Sequence, residues 1–253
     1  MSQKKIVPCR RPWKGTMIGR ERFKAQMHYQ PFDRTVNIEF GYWEENYQLW
    51  PEFVRNGITN ESEANEFFAF DPFYSLWSRW ICPPFPEEVV SETATTKVIR
   101  NGDGLLAEVP KDGHSTIPHY TKSPVVTPED WRRVKAERFD RAHPDRKVNV
   151  AKLQAEHPAD RDYPLGISCG SLIGKVRDML TFEGLAYATY DYPEMVEDMV
   201  ETSCVLVEDF LDQLLPHFQF DFAAGWEDIC FKNGPIVSLD FFNQVVVPRY
   251  KRL

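Results

Sequence analysis

The chain has 253 residues, of which 42% are hydrophobic and 14% aromatic, ample for a packed core in one large domain or two small ones. A formal net charge of −8 argues against a nucleic-acid surface, which would need clustered Lys and Arg. No apolar run approaches the ~20 residues of a bilayer span, so no membrane partner is expected either.

Residues 1–15, MSQKKIVPCRRPWKG, are basic, but no apolar stretch follows them. They read as an N-terminal arm and not as a secretory signal. The five cysteines, Cys9, Cys82, Cys169, Cys204 and Cys230, are scattered and form no CxxC pair. A reducing cytoplasm is the simplest location for such a chain.

Residues 16–30 are expected to form a helix capped by Thr16, with Ile18, Phe23 and Met27 at roughly helical spacing. TVNIEFGYW alternates Val36, Ile38, Phe40 and Tyr42 on one face, the pattern of a first strand. Residues 44–80 are rich in Trp and Phe and read as helical in pieces. Residues 81–127 change character. Prolines break ICPPFPEEVV, while TTKVIRN and GLLAEVP flank the hairpin signal Asn101-Gly102-Asp103-Gly104. HSTIPHY adds another short strand, and the whole reads as an antiparallel meander inserted into a larger fold.

From Thr127 onward the pattern is α/β. Thr127 is placed to cap a helix with Pro128 at its first position. YPLGISCG reads as a buried strand, and Pro193 opens a long amphipathic helix running to about Leu215. FQFDFAAGW is the next strand, expected to lie parallel to YPLGISCG, and Ser238 is placed to cap a final helix. Alternating strands and helices imply a parallel sheet or a (β/α) barrel, expected to lie within a single domain over 1–253.

Candidate chemistry concentrates after the strands. GWEDICFKNG crowds Glu227, Asp228, Lys232 and Asn233 between a strand and a helix. Alternation puts Asp221, Ala223, Gly225 and Glu227 on one face, taken as the inward one. Glu227 and Asp228 are then the candidate catalytic carboxylates, with Lys232 and Asn233 beside them as substrate-binding groups. Ser168 and Ser171 follow the YPLGISCG strand in a run of small residues that lets a ligand approach. Glu39 and Tyr42, at the end of the expected first strand, would face the same cavity. No metal site is expected, because His114 and His119 lie five apart in the meander and no HExxH or His-x-Cys pair occurs. There is likewise no GxGxxG, P-loop or GxSxG signature.

RERFKAQMHYQPFDRTVNIEFGYW, GSLIGKVRDMLTFEGLAYATYDYPEMVEDMV and DFAAGWEDICFKNGPIVSLDFFNQVVVPRYKRL together resemble the uroporphyrinogen decarboxylase superfamily. That superfamily contains porphyrinogen decarboxylases and corrinoid-dependent methyltransferases acting on coenzyme M. The resemblance implies a (β/α)8 TIM-barrel fold with its site at the carboxyl ends of the strands. It places PRYKRL in the helix after the fourth strand, so the chain reads as the front part of a longer barrel, incomplete at its C-terminus. The decarboxylases carry an arginine-rich stretch after the first strand, whereas this chain has EFGYWEENY. Glu39, Glu44 and Glu45 there would repel a polycarboxylate. The resemblance therefore implies, first, methyl transfer from a corrinoid partner protein to a small-molecule thiol. A decarboxylase of tetrapyrrole synthesis is the alternative, and a non-catalytic relative that binds a ligand or partner is the third reading. Zinc and a corrinoid belong to the full-length protein in this reading, with neither bound by residues 1–253 alone. A homo-oligomer is left open.

Overall fold

A computed structural model describes residues 6–11, 15–112 and 118–253. Most of the arm and His114 lie outside the described residues. The first helix, α1, spans Gly19–Met27 and starts later than expected. Thr16 does not cap it: the Thr16 and Met17 amides donate instead to Asp33 Oδ2, at 2.6 and 2.9 Å. Asp33 also accepts from the buried Arg22, which holds its carboxyl well below the ordinary carboxylate range.

The expected strand over 35–43 does not form. Its alternation suits a strand, but its amides are claimed by side chains. Val36 N donates to Gln26 Oε1 at 2.9 Å and Asn37 N to Asp71 Oδ2 at 2.9 Å, so no ladder can run through them. The helices α2 (Glu44–Leu49), α3 (Pro51–Asn56) and α4 (Glu61–Phe68) follow as short pieces. Asn60 caps α4 by accepting from Glu63 N, and Phe53, Ile58, Ala64 and Phe67 form a small core beneath these helices.

The first strand of the parallel sheet is β1, Tyr74–Leu76, inside the aromatic-rich stretch. A four-stranded antiparallel sheet comes next: β2 (Glu88–Glu92), β3 (Thr96–Arg100), β4 (Leu106–Pro110) and β5 (His119–Lys122), paired in chain order. Its β3–β4 turn is the expected one. Asn101 Oδ1 accepts from the Asp103 and Leu105 amides, and Gly104 adopts φ +84, where a Cβ would strike the Phe85 ring.

Helix α5 (Pro128–Arg138) is capped by Thr127, which accepts from Asp130 N, and α6 (Val150–Glu156) leads to β6 (Leu165–Ser168). Three helices then connect β6 to β7 (Phe222–Ala224): α7 (Leu172–Leu180), α8 (Phe182–Asp191) and α9 (Pro193–Leu214). A hairpin of β8 (Cys230–Phe231) and β9 (Gly234–Pro235) precedes α10 (Leu239–Phe241), a π-helical turn over Phe242–Val246, and α11 (Val247–Tyr250). Ser238 caps α10 as expected, accepting from Phe241 N.

The parallel sheet has the order β1-β6-β7, with β6 in the centre and buried at every position. YPLGISCG and FQFDFAAGW are thus neighbouring parallel strands, as the pattern predicts. The fold is mixed α/β, with a parallel sheet, a separate antiparallel sheet and a hairpin, and no sheet closes into a barrel among the described residues. Leu76 and Ile167 pack against Val207, Phe210 and Leu211 of α9. On the opposite face Gly166 lets the Phe222 ring lie directly over the backbone, where a Cβ would overlap it. At the amino ends of the strands Asp221, with no accessible side-chain surface, accepts from Arg20, Arg161 and the Leu165 amide at 2.7 to 3.1 Å. The larger core lies where α5, α7, α8 and α9 meet, around Trp131, Ile173, Met199 and Cys204. No helix among the described residues is long and apolar enough to cross a membrane.

Candidate functional site

The backbone beyond β6 and β7 stays paired after the strands end. Cys169 N donates to Ala224 O at 2.7 Å and Trp226 N to Gly170 O at 3.2 Å. Two turns, 169–171 and 225–229, therefore lie side by side at the carboxyl ends of the sheet, where ligands of open α/β sheets bind. Gly170 has φ +81 and its missing Cβ leaves room for Val207, so the first turn requires glycine.

Glu227 lies in the second turn and reaches across to the amino end of α7. Its carboxylate accepts from the amides of Leu172 at 2.7 Å, Ile173 at 3.1 Å and Gly174 at 2.7 Å, and from Ser171 Oγ at 3.3 Å. The Tyr250 hydroxyl of α11 donates to it as well. Lys175 N donates to Ser171 O, so each of the first four amides of α7 has an acceptor. Ser171 occupies the cap position, yet the capping oxygens come from Glu227. The negative charge also sits at the positive end of the helix dipole. Burial, and then the bond to Glu227, push the Tyr250 hydroxyl far above its ordinary value, so it stays a proton donor.

This arrangement changes the role expected of Glu227. Alternation counted Ala223, Gly225 and Glu227 on the cavity side. In the structure Ala223 pairs with Ile167, whose side chain packs beneath α9, and β7 ends at Ala224. Glu227 turns toward a helix and both its oxygens are occupied. In this geometry it ties the two turns to the amino end of α7. Asp228 is exposed and paired with Arg177, Oδ2 lying 2.5 Å from the guanidinium. Lys232 and Asn233 form the exposed tip of the β8–β9 hairpin, and neither meets Glu227 or Asp228 in an ion pair or hydrogen bond among the described residues. Ser168 is buried, its Oγ accepting from Gly170 N at 3.0 Å. Tyr42 sits in the α2–α4 aromatic cluster with Tyr47, Phe53 and Phe68, where burial, and then the nearby Glu39, push its hydroxyl up to about 12. Glu39 is exposed and bonds its own neighbour's amide.

The 35–43 segment nonetheless reaches the site. Phe40 stacks on Trp226 with centroids 5.1 Å apart and planes within 7°, and both rings are exposed. Cys169 borders the same turns, half-buried, its thiol pushed up by burial. Tyr250 and Arg177 are members of this site that the pattern of the sequence does not reveal, since each lies on a helix remote in sequence from the strand it serves. No set of three metal-binding side chains occurs in the turns after β6 and β7 among the described residues.

No family model, no curated protein and no solved structure matches this chain.

Proposed function

We propose that the chain belongs to the uroporphyrinogen decarboxylase superfamily, that its parallel strands are part of a (β/α)8 barrel, and that it acts in methyl transfer. The methyl group would pass from the cobalt of a methylated corrinoid, carried by a partner protein, to a small thiol. A thioether forms, the cobalt keeps the electron pair of the broken bond, and the thiol proton leaves to solvent. The observation that supports this reading best is the exposed Phe40–Trp226 stack at the carboxyl end of β7. An exposed aromatic ring offers an apolar face on which the face of a large macrocycle can stack. Glu227, Ser171 and Tyr250 hold the turn that presents Trp226, and Ser168 sets the neighbouring turn through Gly170. Glu39, exposed beside Phe40, adds negative charge to the rim and disfavours polycarboxylate substrates, while Asp228 is paired with Arg177. No step is routed through zinc.

The test is anaerobic incubation of the full chain with methylcobalamin and a small thiol. Thiol-dependent loss of the methylcobalamin spectrum, reduced at least about tenfold by Trp226→Ala, is expected. Turnover unchanged in that variant, or no turnover at all, overturns the reading. Carbon dioxide release from a porphyrinogen would move the assignment to the decarboxylases.

A further inference from the structure

A second constellation lies beyond the carboxyl end of β1, apart from the 169–171 and 225–229 turns. Cys82 Sγ is 3.1 Å from His143 Nδ1, and an oxygen of Asp145 completes a group whose donor atoms all lie within 4.8 Å of one another. Cys82 is fully buried, His143 half-buried and Asp145 exposed. His143 and Asp145 line a cleft of about 690 Å³ bounded by the β1 end and α9. The three donors therefore run from the interior to the wall of an open cleft.

The loop that carries two of them is held in place independently of the cluster. The Arg146 guanidinium donates to the carbonyls of Arg79, Trp80, Arg138 and Asp140 at 2.5 to 3.2 Å. Cys82 N donates to Arg138 O at 2.9 Å. Segment 79–82, the end of α5 and the 143–146 turn are thereby tied together before any ligand arrives. His143 Nδ1 accepts the Asp145 amide at 3.2 Å and faces Cys82 Sγ at 3.1 Å, so a metal bound there would take the Nδ1 lone pair in place of that long amide bond. A soft thiolate, an imidazole and a carboxylate, with the remaining position open to a cleft, are the ligand set of a zinc site that keeps one position for water or substrate.

We propose that Cys82, His143 and Asp145 bind a divalent transition metal, zinc by ligand type, with its fourth position facing the cleft. The site does not depend on the methyl-transfer reading. Binding replaces the Cys82 thiol proton by the metal: the sulfur lone pair makes the new bond and the proton is released. The two anionic ligands balance the dication. Motif spacing could not show this site, because Cys82 and His143 are 61 residues apart.

Cobalt(II) is the probe, titrated into the metal-free full chain and then displaced by zinc. The expected result is one equivalent bound, with a thiolate-to-cobalt band in the near ultraviolet and release of about one proton. Cys82→Ser should abolish the band, while Cys204→Ser, which removes another buried thiol, should retain it. His143→Gln and Asp145→Asn act on less buried positions, and each should weaken binding about tenfold or more. A band that survives in Cys82→Ser overturns the proposal, as does an unchanged affinity in both other variants. Absence of binding to the folded wild-type chain overturns it too. Should Cys82→Ser fail to fold, the His143 and Asp145 variants decide the matter, checked by circular dichroism.

Discussion

Removing the Glu227 carboxylate should destabilise the chain through α7. Three amides of that helix, on the buried residues Leu172, Ile173 and Gly174, have no acceptor among the described residues other than Glu227 or, for Leu172, the Tyr250 oxygen at 3.2 Å. A buried donor left without a partner costs about 1–3 kcal/mol, and an ordinary cap is worth about 1 kcal/mol. Glu227 is half-buried, so water will reach part of the gap and the costs will not sum fully. Glu227→Ala should therefore lose about 3–5 kcal/mol. Glu227→Gln keeps one acceptor oxygen but loses the charge facing the helix dipole and turns an amide donor toward amide donors. About 1.5–3 kcal/mol is expected for it. Urea unfolding followed by tryptophan fluorescence measures both. Tyr250→Phe should cost about 1–2 kcal/mol alone and much less in the Glu227→Ala background, because the two groups share one bond. Variants within about 0.5 kcal/mol of wild type would show that this carboxylate does not hold the helix, and would refute the argument.

Other perturbations probe the same construction. Gly174→Ala places a Cβ against Ser171 Oγ and 3.2 Å from Glu227 Oε2, so it should cost about 1–3 kcal/mol by urea unfolding, partly recovered when Ser171→Ala is added. Asp221→Asn should lose about 3 kcal/mol at neutral pH by leaving Arg20 and Arg161 without their anion. Burial alone would raise the Asp221 carboxyl, but hydrogen bonds from Arg20, the Leu165 amide and Arg161 outweigh it and hold it below its ordinary range. Its stabilisation is therefore complete above the unfolded carboxylate value near ~4 and is lost as pH falls through the lower folded value. The gap between wild type and Asp221→Asn should accordingly close in acid, and a gap that persists there would contradict this assignment. Among the thiols, Cys9 and Cys230 are exposed and should react quickly with a thiol reagent in the native state. Cys204, buried and pushed up to about 11, should react only on unfolding.

Elements whose signals are local were legible in the sequence. Helix α9 repeats its apolar residues at three and four over Pro193–Leu214, and β6 is a short apolar run bounded by Pro164 and Gly170. The Thr127 cap and the Asn101–Gly104 turn follow from side chains bonding amides a few residues away. The failures come from distant partners. Val36 to Tyr42 alternates as a strand should, but the carboxylate that captures the Asn37 amide is 34 residues on. The three-residue β1 carries too short a pattern to stand out among aromatics. Strand parity extended past Ala224 puts Glu227 on the cavity side, but the strand has ended there and the carboxylate turns to α7. The alternation of strand and helix makes YPLGISCG and FQFDFAAGW legible as parallel neighbours, yet only the fold shows that Tyr250 joins their carboxyl ends.

Where a macrocyclic ligand meets the chain is open to one direct measurement, amide hydrogen exchange of the full chain with and without a corrinoid, using aquacobalamin as the probe. The proposed function predicts slowed exchange in the 169–171 and 225–229 turns and in the segment around Phe40, with the amino ends of the strands near Asp221 unchanged. Protection absent from those turns, or confined to the Asp221 end, would contradict it.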